Sequence, residues 1–163
     1  MTGPMKILTD AYERTIDEKN RIQIAAPHRN VLDPERQGAV LYVVPGERIG
    51  TLSLYPEEYF ERKARSIPTD QIPGRDALDF EQMFFAMASR VEMDKQGRLV
   101  LPERQLAAAE LGKEIYITGA RYRLDLWNRA DYEEFLREVL SRRTELQSFL
   151  RTPMQPAAKE RSE

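Results

Sequence analysis

Two short stretches of this sequence set a carboxylate and a guanidinium four residues apart: Asp17-Glu18-Lys19-Asn20-Arg21 and Asp94-Lys95-Gln96-Gly97-Arg98. An aspartate at the end of a strand accepts hydrogen bonds from backbone N–H groups two or more residues on, and so builds a tight turn. The residue before each arginine suits that turn, because Gly97 adopts positive φ at no steric cost and Asn20 is among the most tolerant of the other residue types. An arginine leaving such a turn carries a planar fork of N–H donors that matches a phosphate or the O6 and N7 edge of guanine. Lys19 and Lys95, in the same turns, add charge suited to phosphates. The competing reading is a plain surface ion pair between each arginine and its own aspartate, worth at most about 1 kcal/mol. Spacing alone does not separate the two, since Asp-x-x-x-Arg arises by chance in most proteins. Recurrence of the surroundings does.

From Asp17 to Asp94 the offset is 77 residues, and the flanks match: Thr15-Ile16 before the first turn and Arg21-Ile22-Gln23-Ile24 after it correspond to Glu92-Met93 and Arg98-Leu99-Val100-Leu101. Farther on, Thr51-Leu52-Ser53-Leu54-Tyr55, with Glu57, Glu58 and Phe60 behind it, echoes Arg123-Leu124-Asp125-Leu126-Trp127 with Glu133, Glu134 and Phe135. Leucine alternating with a polar residue is the period-two signature of a half-buried strand. Each copy therefore reads as a short strand, the turn, a second short strand (Arg21 to Ala26, Arg98 to Leu101), a connector, two more strands and a closing helix. In copy two the connector reads as helix, with Pro102 in its first turn and Gly112 as its C-terminal cap. In copy one, Asp33-Pro34 and Gln37-Gly38 suggest turns instead. The closing helix of copy two carries an apolar stripe from Tyr132 through Phe135, Leu136, Val139, Leu140 and Leu146 to Phe149 and Leu150, and Asn128 with Asp131 resembles a capping box.

These readings give a first half over residues 12–67, a linker and helix over 68–90, a second half over 91–150, and a disordered tail over 151–163. In the linker, Pro68 and Pro73-Gly74 break periodicity, and Phe80, Phe84, Met87 and Ala88 of the helix after it form a stripe suited to core or subunit contact.

Catalytic chemistry has little to work with. The 163 residues include no cysteine and one histidine, His28, which reads as a surface or turn residue, so no catalytic group, metal site or cofactor is expected. The pairs Glu57-Glu58 and Glu133-Glu134 read as first-turn residues favourable to a helix dipole. Pro45-Gly46 and Ile49-Gly50 mark a hairpin turn and no phosphate cradle. No apolar run reaches the roughly 20 residues of a membrane span, and Met1 to Asp10 lacks the blocks of a signal peptide, so the expected location is the cytosol, without membrane contact. A formal net charge of −2 stands against a generally basic nucleic-acid binder, unless charge is segregated or contacts are multiplied.

The two signatures, together with Leu124-Asp125-Leu126-Trp127-Asn128 and the junction Leu54-Tyr55-Pro56, resemble the MraZ family, built from two AbrB-like (SpoVT-AbrB) half-modules, over nearly all of residues 12–150. The resemblance implies an α+β fold, a duplicated AbrB-like swapped-hairpin β-barrel with flanking helices, that assembles into a ring-shaped homo-oligomer. It also implies a nucleoid-associated, sequence-specific transcriptional regulator, a repressor of the division and cell-wall gene cluster. Its partner would be double-stranded promoter DNA, bound at direct repeats upstream of its own operon. Carried onto this sequence, DNA contact falls on Arg21 and Arg98 with Lys19 and Lys95, and turn support on Asp17, Asp94, Asn20 and Gly97. Arg14 and Arg29 flank the first turn. The sequence departs from the family at Asn20, where glycine is usual, and at Ala25-Ala26-Pro27, where proline comes sooner after the strand. The alternative is an AbrB-like antitoxin or protein-binding scaffold, disfavoured by a doubled module and a short tail.

Overall fold

Alternating apolar and polar residues predict strands, and they form in the computed structural model, which describes residues 6–68 and 71–151. Copy one runs β1 (Ala11–Thr15), β2 (Arg21–Gln23), α1 (Ala26–Leu32), β3 (Val40–Pro45), β4 (Thr51–Pro56) and α2 (Glu57–Arg65). After α3 (Arg75–Met87), copy two repeats the order as β5 (Ser89–Glu92), β6 (Arg98–Val100), α4 (Glu103–Ala109), β7 (Glu114–Gly119), β8 (Leu124–Asn128) and α5 (Arg129–Ser141). A last helix, α6 (Arg143–Arg151), follows. The described residues divide into two compact units between Arg129 and Ala130.

The copies exchange their first strands. In the six-stranded antiparallel sheet, ordered β1-β7-β8-β4-β3-β5, β1 of copy one pairs with β7 of copy two, and β5 of copy two pairs with β3 of copy one. The short strands do the same, β2 lying antiparallel to β6 as a separate two-stranded ribbon with Ile22 opposite Leu99. At the middle of the sheet Ser53 of β4 lies opposite its counterpart in the repeat, Asp125 of β8, and donates to its carboxylate at 2.6 Å. An approximate two-fold axis thus relates the copies, passing near Ile22 and Leu99 at one end and Ser53 and Asp125 at the other. The expected α+β class holds. A closed barrel does not form: among the described residues, sheet hydrogen bonding stops at β1 and β5, and the ribbon remains a separate sheet.

Ribbon and sheet share one core. Ile22 and Leu99 from the ribbon, Ile24 and Leu101 just beyond it, and Leu41, Leu52, Leu54, Ile117, Leu124 and Leu126 from the sheet form one buried cluster. On the other face of the sheet, Val44 and Tyr55 meet Phe60 of α2 and Phe84 of α3, with Tyr42 stacked on Phe60 at 4.2 Å between ring centroids. Phe84 is therefore core, whereas Phe80, one turn earlier in α3, is exposed.

Several expectations change. The connector of copy one is also helical: β2 ends at Gln23 and α1 begins at Ala26, with Pro27 in its first turn. The two-residue displacement of proline relative to Pro102, which is the N-cap residue of α4, leaves the helix intact because proline needs no N–H partner there. The turns read at Asp33 and Gly38 do form, but after α1, where the Asp33 carboxylate accepts from the Gln37 and Gly38 N–H groups at 3.0 Å each. Glu110, with φ of 52°, and not Gly112, takes the left-handed position after α4. Asn128 closes the following loop, accepting from the Gly112 N–H at 2.7 Å and donating to the Glu110 carbonyl at 3.0 Å. The closing helix divides at Arg142 into α5 and α6, and because α5 begins at Arg129, Glu133 and Glu134 fall beyond its first turn, where Asp131 stands. The expectation for the tail falls on residues outside those described, apart from the end of α6.

Truncating Leu99 to alanine removes a fully buried side chain that joins ribbon to sheet, and is expected to cost about 2–5 kcal/mol in urea-unfolding experiments. Val100→Ala, on the exposed face of the same strand, should cost well under half as much.

Candidate nucleic-acid interface

Each Asp-to-Arg turn is a three-residue hairpin loop. The Asp17 N–H donates to the Arg21 carbonyl at 3.0 Å and the Asn20 N–H to the Asp17 carbonyl at 3.0 Å; in copy two the Asp94 N–H donates to Arg98 at 2.9 Å and the Gly97 N–H to Asp94 at 3.0 Å. The last loop residue is left-handed in both, φ being 59° at Asn20 and 80° at Gly97, as this loop class requires. At Gly97 a Cβ would meet the Arg29 Cδ at 2.9 Å, which gives glycine a second reason there.

The carboxylates act on backbone and side chain at once. One Asp17 oxygen accepts from the Lys19 and Arg21 N–H groups at 2.9 and 2.8 Å, and the other from Arg21 Nε at 2.7 Å. Asp94 repeats the pattern with Gln96, Arg98 and Arg98 Nε at 2.9, 2.9 and 3.0 Å. The Arg21 backbone N–H, opposed by partial desolvation and helped by the Arg21 guanidinium and the Lys19 N–H, holds the Asp17 carboxyl below the ordinary aspartate range. The Arg98 backbone N–H leads the corresponding depression at Asp94. Each arginine does pair with its own aspartate, as the plainer reading holds, but through Nε alone. Among the described residues, no hydrogen bond reaches the Nη groups of either, and neither Lys19 nor Lys95 has an ion-pair partner. The clamp fixes the guanidinium and leaves its outer edge available for a forked contact.

The ribbon brings the arginines together. Ile22 and Leu99 face the core, so Arg21 and Gln23 of β2 and Arg98 and Val100 of β6 occupy the outer face. Arg21 pairs with Val100 and Arg98 with Gln23, which sets the two arginines diagonally, roughly 7–8 Å apart at Cα. Lys19 and Lys95 lie in the loops at the two ends. Reciprocal bonds join the loops to the partner strands: Ile24 N–H donates to the Gly97 carbonyl at 2.9 Å, and Leu101 N–H to the Asn20 carbonyl at 2.8 Å.

Three residues outside the repeated signature make tertiary contacts of their own. Arg29 of α1 donates to the Lys95 carbonyl in the second loop. Arg14 of β1 donates to the Gln23 carbonyl at 3.0 Å, holding the end of β2. Both brace the ribbon, a role that spacing did not disclose. His28 is not at the surface but buried, its Nε2–H donating to the Thr9 carbonyl at 2.5 Å and its ring edge-on to Tyr12. A fourth feature, the fully buried Gln105, donates to the Val43 carbonyl at 3.2 Å and to Met87, joining α4 to β3 and the end of α3. Its polar type at a helical position facing inward is the only trace it leaves in the sequence.

Among the described residues, no cluster of three or more histidine, cysteine or acidic side chains could hold a metal, and no helix is long and apolar enough to cross a membrane.

Because both carboxyls titrate lower when folded, the stability they add is present above the ordinary aspartate value and is lost as pH falls through the depressed values. Thermal melts should be insensitive to these groups from pH 7 to about pH 5 and fall below about pH 4. Asp17→Asn with Asp94→Asn should flatten the acid limb; an unchanged limb would remove the carboxylates from this role.

A family model described as "MraZ protein, putative antitoxin-like" matches residues 84–150. The chain is 35% identical over 131 residues to the transcriptional regulator MraZ of Moorella thermoacetica, spanning 78% of this chain and 85% of that protein. It is 32% identical over 124 residues to the regulator of the same name from Mycoplasmopsis pulmonis (76% and 80%), and 32% over 131 residues to that of Pediococcus pentosaceus (78% and 85%). Relatives named as transcriptional regulators imply a role in regulation rather than catalysis. On these similarities, which span more than two thirds of the chain at up to 35% identity, the chain belongs to the MraZ family of transcriptional regulators.

Proposed function

We propose that the protein is a sequence-specific DNA-binding regulator that lays the outer face of the β2–β6 ribbon in the major groove, with Arg21 and Arg98 forking onto guanine or phosphate and Lys19 and Lys95 on flanking phosphates. The observation that carries this is the paired clamp: in both turns the aspartate takes Nε and leaves the two Nη groups of the arginine on one exposed face. A two-stranded ribbon fits the major groove, which is about 12 Å wide. The regulator acts in the cytoplasm at the nucleoid, as a repressor that binds direct repeats upstream of its own operon in the division and cell-wall cluster. The two copies supply the duplicated AbrB-like swapped-hairpin arrangement, with residues 12–67 and 91–150 as its halves.

The protein works as a homo-oligomer, a ring. Leu78, Phe80 and Met83 on α3, and Leu136, Leu140, Phe149 and Leu150 on α5 and α6, are exposed apolar side chains in a chain of net charge −2. Several ribbons engaged at adjacent boxes then supply, through simultaneous contact, the attraction that net charge does not. The same exposed residues favour a second reading, in which a heterologous protein is the main partner, as in an antitoxin. A stoichiometric second protein co-purifying with the chain would support that reading.

In gel shifts with DNA upstream of the protein's own gene, Arg21→Ala and Arg98→Ala should each weaken binding by about 1–3 kcal/mol, and the double change should abolish the specific band. Arg→Lys at either site keeps the charge but loses the fork, and should relax specificity more than affinity. Since each arginine also neutralises an aspartate, melting curves must show the variants folded. Unaltered binding by the folded double variant overturns the assignment.

Titration against DNA with one, two or three boxes in rising salt tests the multivalent arrangement. Affinity should climb steeply with box number and fall with salt; indifference to box number rules out simultaneous engagement.

A further inference from the structure

The ribbon carries one side chain that neither the clamp nor the core uses. Val100 is 56% exposed on the outer face, at the end of β6 and directly opposite Arg21. Its neighbours in the chain, Leu99 and Leu101, are buried in the core, so strand alternation turns Val100 away from that core. The bonds Ile24 to Gly97 and Leu101 to Asn20 fix which pairs of the ribbon are hydrogen-bonded. By alternation Arg21 and Val100 form a non-hydrogen-bonded pair, the class in which opposing side chains stand closest. A branched methyl surface is thereby held beside the guanidinium that the clamp leaves available at Nη.

The repeat sharpens the point. The position equivalent to Val100 in copy one is Gln23, whose amide donates to the Gln96 carbonyl at 2.8 Å and so is tied back to the second loop. Val100 has no polar atom to tie. The outer face therefore presents two arginines, one engaged amide and one uncommitted apolar group.

Resting on the DNA-binding reading above, we propose that Val100 is a specificity-determining residue that contacts the C5-methyl group of a thymine next to the base or phosphate held by Arg21. The major-groove edge of a thymine is the one edge that offers an apolar group, and small apolar side chains are its complement. Desolvating Val100 against that methyl recovers part of what its exposure costs in free protein. Replacing thymine by cytosine, or by uracil, removes the methyl and leaves Val100 facing water or a polar amine.

The test replaces each thymine of the upstream box, one at a time, by deoxyuridine, which deletes only the methyl group. Wild-type protein should lose about threefold to fivefold in affinity at one thymine per ribbon, the worth of one buried methyl, and be indifferent at the rest. Val100→Ala should bind thymine and deoxyuridine boxes equally, while Val100→Ile keeps the discrimination. Arg21→Ala, run in parallel, should weaken binding to every box. No deoxyuridine-sensitive thymine in the wild type, or the same sensitivity in Val100→Ala, overturns the proposal. If Arg21→Ala and Arg98→Ala leave binding unchanged, the DNA-binding reading itself fails. A change of oligomeric mass in Val100→Ala, together with a flat deoxyuridine scan, would make Val100 a subunit contact and also overturn the proposal.

Discussion

The structure depends on two strands too short to stand alone. β2 and β6 are three residues each, and neither pairs with a strand of its own copy; they satisfy their backbones on one another. An isolated ribbon of that length has no stability in water, so it persists only because Ile22 and Leu99 reach down into the core built on the sheet. The sheet in turn needs both copies, since each hairpin, β3–β4 or β7–β8, receives its outer strand from the other half. Neither half can bury its apolar strands by itself, and the outward face of the ribbon exists only when the two halves are assembled.

On that ribbon, aspartate and arginine divide the work. The aspartate is committed to three donors, two of them backbone, which explains why its acidity rises without burial. The arginine is held by Nε, so its side-chain entropy is spent before any ligand arrives and the outward edge of the fork is already oriented. An exposed ion pair of this kind adds little to stability. Its consequence is orientation. The ion-pair reading and the recognition reading of Asp-x-x-x-Arg are therefore compatible, because the bond that forms the pair uses Nε and leaves the Nη nitrogens without a hydrogen bond among the described residues.

Much of this was legible in the sequence, and the reason is periodicity. The offset of 77 residues, the leucine alternation of β4 and β8 and the positive-φ residues Asn20 and Gly97 are local signals, and each led to the element observed. What stayed hidden depends on tertiary partners. The seven residues of α1 are too few for a helical stripe to show, and the displaced Pro27 masked its start. His28 looked superficial because its carbonyl partner, on Thr9, lies 19 residues away in sequence. The bracing roles of Arg14 and Arg29 and the buried bonds of Gln105 span contacts that no spacing rule encodes. A closed barrel was expected from resemblance, whereas strand pairing is a matter of which edges meet, and among the described residues β1 and β5 do not.

The approximate two-fold axis has a consequence for the proposed reading of DNA. A symmetric ribbon would present the same groups to both strands of the duplex and so favour a palindromic box, as symmetric readers do. Here the backbone is symmetric and the side chains are not. The first loop, Asp17 to Arg21, holds two acids and two bases, while the second, Asp94 to Arg98, holds one acid and two bases, with Lys95 in the position of Glu18 and Gln96 in that of Lys19. The loop of copy two therefore carries the more positive charge. Gln23 opposite Arg98 and Val100 opposite Arg21 differ again, one polar and engaged, the other apolar and exposed. Were the ribbon to bind DNA as proposed, equal backbones with unequal side chains would give each subunit a direction along the duplex. On the proposed reading, a row of such subunits, all oriented alike, would match boxes repeated head to tail, and an inverted pair of boxes would set one of every two ribbons against its preferred edge.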